Sequence, residues 1–112
     1  MTALRTFSAV IFLVIGGYTA IVVANHGYGL FSVFFGDMMA IGWPGQFNLD
    51  FMFMLALSAL WVSWRHQFSG VGLLLGLLAF LGGAAFLSIY LFIVAGQSNG
   101  NAKVLLLGRA RV

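Results

Sequence analysis

The sequence predicts an all-α integral membrane protein. Its 112 residues are 62% hydrophobic and only 6% charged, whereas a soluble domain carries about 25% charged residues. The seven formal charges are Arg5, Asp37, Asp50, Arg65, Lys103, Arg109 and Arg111, so residues 6–36 and 66–102 carry none. The apolar stretches have the length of about 20 residues that crosses a hydrocarbon layer as a helix. A soluble globule exposing this much apolar surface would aggregate. The composition excludes a soluble enzyme, a disordered tail and, with no cysteine, a disulfide scaffold. At this length the chain is one transmembrane domain, 1–112, ending in a polar-to-basic tail at 97–112.

The first span is expected at about 4–24. Thr2 is placed to cap it, and Asn25-His26-Gly27 to stop it. Arg5 ahead of an apolar run, with Val22-Val23-Ala24 after it, has the outline of a signal peptide. The run exceeds the roughly 7–15 residues of such an h-region, which favours a retained span.

Residues 28–42 are apolar but short, contain Asp37 and are interrupted by glycines. Their length predicts a short interfacial or re-entrant helix, with a fourth span as the alternative. The second span is expected at about 47–64, after the break at Pro44 and Gly45, with Asn48 or Asp50 at its start. Trp61, Trp64, Arg65 and His66 suit a helix leaving hydrocarbon, with rings at headgroup level and a cation reaching for water. The third span is expected at about 70–95. Only Gln67 to Ser69 separate it from the second, which makes those two helices an antiparallel hairpin.

Charge bias does not orient this arrangement. Three crossings put Arg5 and Arg65 on one side and Lys103, Arg109 and Arg111 on the other. Four crossings gather all but Arg65 on one side, but segment length favours three. The tail cations flank an apolar run, Val104 to Leu107. That pattern suits a membrane surface and not a nucleic acid.

In lipid, helices associate where small residues let backbones approach. The third helix carries Gly72, Gly76, Ala79 and Gly83, then Phe86 and Tyr90, on one face. The first offers Gly16, Ala20 and Ala24, with Gly17 alongside. These faces predict packing within the bundle, with dimerisation or ligand lining as the alternative.

Chemistry-bearing residues are few. Asp50, with Asn48, Gln46 and Trp43, is the foremost candidate for a ligand or ion site. A carboxylate near membrane depth pairs, lines a polar path, or caps a helix at the interface. Asp37 carries the same alternatives. His26 and His66 are weak candidates for an axial cofactor ligand. They close successive antiparallel helices, roughly 30 Å apart, and cannot share an ion. The sequence predicts no metal site and names no cofactor. It holds no nucleophile–base pair, phosphate-binding loop or zinc spacing.

Residues 43–90 resemble small bacterial three-helix membrane proteins of unknown function. The resemblance rests on Trp-Pro-Gly-Gln-Phe-Asn-Leu-Asp at 43–50, Leu-Trp-Val-Ser-Trp-Arg-His at 60–66, and Gly-Gly-Ala-Ala-Phe-Leu-Ser-Ile-Tyr-Leu at 82–91. It implies a compact three-helix shape in the bacterial cytoplasmic membrane and no known activity. The expected role is that of a small non-catalytic accessory or structural subunit. Its expected partners are membrane lipids and other membrane subunits, or copies of itself. The alternative is binding or transport of a lipid, isoprenoid or cation at the Trp43–Asp50 region.

Overall fold

The computed structural model describes residues 2–111, and among these the fold is all-α. The elements are α1 (Thr2–His26), α2 (Leu30–Met39), α3 (Trp43–Arg65), α4 (Gly70–Gln97) and α5 (Ala102–Leu107), then a 3-10 turn, Arg109–Arg111. Helices α1, α3 and α4 are each long and apolar enough to cross a membrane, and α2 is the short helix between the first two.

Helix α3 begins four residues earlier than expected. Pro44 lies within its first turn, where a missing N–H removes no intrahelical bond and the fixed φ suits the helix. Asn48 and Asp50 therefore lie inside α3 and do not cap it. Helix α2 runs antiparallel to the start of α3, and Asn48 Nδ2 donates to the Phe34 carbonyl at 3.1 Å. Gly45 makes the close approach possible, because a Cβ there would stand 2.8 Å from Met38 Cα.

The turn after α3 brings Gln67 and Phe68 to positive φ. Ser69 then caps α4, its hydroxyl accepting from Gly72 N at 3.1 Å. Helix α4 descends along α3 through its small residues. Gly72, Gly76 and Ala79 are buried, and a Cβ on Gly76 would meet the Ala59 carbonyl oxygen at 3.0 Å.

Helix α4 is not a straight rod. At Gly83 the backbone takes φ 58°, ψ −139°, a conformation essentially confined to glycine. Gly83 lies against Phe51 and Leu55, midway down α3. Beyond it the chain climbs again, and Tyr90 reaches Arg65 and His66 near the top of α3. A straight helix would carry residue 90 about 27 Å away from Gly72, yet Gly72 also adjoins His66. The two arms, 70–82 and 84–97, are each about 20 Å long, shorter than a hydrocarbon layer of about 30 Å.

Helix α1 packs against α4, antiparallel to its returning arm. Arg5 Nε donates to the Phe92 carbonyl at 3.0 Å, and its guanidinium lies 4.2 Å from the centre of the Phe92 ring. The core gathers in this half of the molecule, where Val62, Ala79, Tyr90, Val94, Ala95 and Leu105 form one buried cluster. Ser8 is the one buried residue of α1. Its lower half is bare, and Gly16, Gly17 and Ala20 are exposed. The expected packing role therefore falls to Gly72, Gly76 and Ala79 and not to Gly16 or Ala20, because the α4 arms end before reaching that depth.

Gly83 also changes the charge arithmetic. Three straight crossings would part Arg5 and Arg65 from the tail. With α4 folded back, Arg5, Arg65, Lys103, Arg109 and Arg111 all lie at one end. Asp50 precedes Arg65 on α3 by about 22 Å of helix, and Asp37 beside Gly45 by about 30 Å.

Candidate functional site

The densest polar construction closes that basic end. Helix α5 is only six residues long, so most of its carbonyls find no partner within the helix. Asn101 serves its other end, its side chain accepting from Lys103 N at 3.0 Å. Side chains of α3 satisfy the carbonyls. Arg65 Nε donates to Leu105 O at 2.7 Å, and Arg65 Nη2 to Val104 O at 3.2 Å. Trp61 Nε1 donates to Leu106 O at 3.0 Å. A cation at a helix C-terminus also meets the negative end of the dipole, and Arg65 does so for both α3 and α5.

Arg65 is buried, with 9% of its surface exposed. It was expected to extend to water from the end of α3, but the docked tail covers it. Its remaining terminal nitrogen, Nη1, donates to the Tyr90 hydroxyl at 3.2 Å. That hydroxyl lies 2.7 Å from His66 Nε2. Since the guanidinium only donates, the Tyr90 oxygen accepts from it and the Tyr90 hydrogen is free for His66. A neutral His66 ring can accept it at Nε2. Burial pushes the His66 pKa down first, and the adjacent Arg65 charge pushes it further the same way.

The outer tail adds a second layer. Arg109 donates to the Gln97 carbonyl and Arg111 to that of Trp64. The Arg111 guanidinium also lies 4.1 Å from the centre of the Trp64 ring. Gly108 allows the tail this close, since a Cβ there would stand 2.8 Å from the Arg65 carbonyl oxygen. Between the layers lies an open cavity of about 350 Å³, lined by Arg65, His66, Gln67, Gln97, Ser98 and Arg109 among others.

The residues singled out in the sequence do not form one site. Trp43 and Gln46 line a separate apolar groove with Met38, Ile41 and Leu49. Asn48 is committed to Phe34. Asp50 is exposed outside that groove, and Asp37 is half-buried on α2. His26 is exposed at the foot of α1, at the opposite end from His66. Among the described residues, no three His, Asp or Glu side chains gather in a metal-binding group.

The Arg65 cluster escaped sequence reading because its partners lie 25 and about 40 residues away. The available signal was Asn101 before the Val104–Leu107 apolar run, the pattern of a capped short helix with a face to bury. No family model, curated protein or solved structure matches the chain.

Proposed function

We propose that this protein is a small non-catalytic subunit of the bacterial cytoplasmic membrane, packing against a larger membrane protein or against copies of itself. The observation that carries the reading is the bare lower half of α1. Gly16 and Gly17 have no side-chain neighbour, and Leu13, Val14, Tyr18 and Ile21 around them are 64–70% exposed. Small residues beside protruding apolar ones form the knob-and-groove surface by which helices associate in lipid. The upper half of the same helix is occupied by α4, so the lower half is left for a neighbour. The five cations at one end support an orientation with that end in the cytoplasm.

Photo-crosslinking from Tyr18, in native membranes, tests this reading. The expected result is one discrete protein adduct, absent when the probe replaces Ser8 on the buried side. Lipid adducts alone at Tyr18 would overturn it.

The alternative of a lipid or isoprenoid at Trp43–Asp50 draws support from the apolar groove beside Trp43 and Gln46. The outward position of Asp50 gives no support to cation binding there.

A further inference from the structure

We propose that the cavity at the basic end is a binding site for a phosphate-bearing anion, as the headgroup of an anionic phospholipid or as a free phosphate.

The sign of the ligand follows from the charges. All five Lys and Arg side chains lie at this end, and the two acidic side chains, Asp50 on α3 and Asp37 on α2, lie about 22 Å or more away along the direction of α3. The arginines are held by groups that do not neutralise them. Arg5 rests on Phe92, Arg111 on Trp64, and Arg109 on the Gln97 carbonyl. Arg65 is held by two carbonyls and a hydroxyl. Carbonyls take up hydrogen bonds but leave the formal charge in place. Among the described residues no carboxylate lines the cavity, and the formal charge that its side chains bring is positive.

The donors fit an oxyanion. Guanidinium carries five N–H groups. Arg65 has spent one at each nitrogen, which fixes its plane and leaves a second hydrogen on both terminal nitrogens. Arg109 has spent one hydrogen at Nη2, and the second, paired with the N–H beside it on Nε or Nη1, forms a fork of the kind that binds phosphate oxygens. The Gln67 amide adds neutral donors on the same wall. A guanidinium already immobilised loses little further freedom on binding. The volume, about 350 Å³, lies within the roughly 300–1,000 Å³ of small-ligand sites.

The position suits a headgroup. The cavity opens where α3 ends, between Arg65–Gln67, the end of α4 at Gln97 and Ser98, and the tail, one residue from Trp64, at the level where aromatic rings meet the bilayer surface. Anionic lipids draw basic segments to that depth.

The test is native mass spectrometry of the full chain in equimolar phosphatidylglycerol and phosphatidylcholine. It is paired with titration of inorganic phosphate into protein held in phosphatidylcholine nanodiscs, read by tryptophan fluorescence. Retention of phosphatidylglycerol about tenfold above phosphatidylcholine, equivalent to ~1.4 kcal/mol, identifies a headgroup site. Saturable phosphate binding without lipid preference identifies a free-phosphate site. In either case Arg109→Gln abolishes the effect, and Gln67→Gly weakens it while keeping the positive-φ turn. Lys103→Gln, a cation at the same end that does not line the cavity, leaves it intact. Neither preference nor phosphate binding overturns the proposal, as does equal loss in Lys103→Gln and Arg109→Gln, which marks diffuse attraction. Thermal melting of each variant separates loss of binding from loss of fold.

Discussion

The Tyr90 hydroxyl lies 2.7 Å from His66 Nε2, although most of α4 separates the two residues in sequence. The contact exists because α4 reverses at Gly83. The same reversal sets the Trp61 ring edge-on to Tyr90, on which Phe86 stacks from one turn earlier in the returning arm. Tyr90 thus links the returning arm of α4 to the end of α3, and Arg65 links that end to α5.

A neutral His66 suits this relay, because a charged ring would set a second cation beside Arg65. Burial and then the Arg65 charge lower its pKa below the ordinary 6.5, so the unfolded state takes up the proton more readily than the folded one. Stability is therefore full above about pH 6.5 and falls as the pH drops through the lowered folded value. Thermal melting in detergent between pH 8 and pH 5 is expected to show this acid loss, and His66→Gln to flatten it. An unchanged profile in His66→Gln would assign the acid sensitivity elsewhere.

Gly83→Ala places a Cβ where the backbone has φ 58° and where Phe51 Cζ stands at 3.3 Å. The strain is expected to cost ~1–3 kcal/mol, read as a lower melting temperature. Gly16→Ala, in open space, is expected to be neutral or mildly stabilising in the isolated protein. Equal melting temperatures for the two variants would count against the turn.

Gly76→Leu forces a branched side chain between α4 and the Ala59 carbonyl, where even a Cβ is tight at 3.0 Å. The expected outcome is loss of the folded monomer, seen as protease sensitivity across 66–82. A folded Gly76→Leu protein that lost only self-association would transfer this face to an intermolecular contact.

Arg65→Met keeps the bulk of the side chain but removes the donors to Val104, Leu105 and Tyr90. Buried carbonyls without partners cost ~1–3 kcal/mol each, so α5 is expected to undock and expose them to water. Faster proteolytic cleavage between Gly96 and Asn101, with the α-helical content otherwise retained, is the expected observation. Protection equal to that of the unsubstituted chain would mean that apolar packing of Val104 and Leu105 alone holds the tail.

The long helices were legible in the sequence because composition and length determine what crosses hydrocarbon, and so was the α3–α4 hairpin through its short connection. The face of Gly72, Gly76 and Ala79 was legible from spacing alone. The reversal was not, because Gly83 continues that same spacing and glycine is common in membrane helices. Reading Gly83 as one more packing position hid its backbone conformation, and the placement of the tail cations was lost with it. Asp50 drew notice as a rare charge, while Arg65, equally rare, looked like an ordinary helix-end cation. Burial separates the two, and burial here depends on α5, about 40 residues further along the chain.

The turn at Gly83 is tested most directly by a spin–spin distance. The chain has no cysteine, so labels at Gln67→Cys and Gln97→Cys are unique, and both positions are exposed. They line one cavity, so the labels are expected within about 20 Å of each other in lipid nanodiscs. A straight α4 would hold them about 40 Å apart, and that distance would contradict the reversal, the gathered cations and the anion site together.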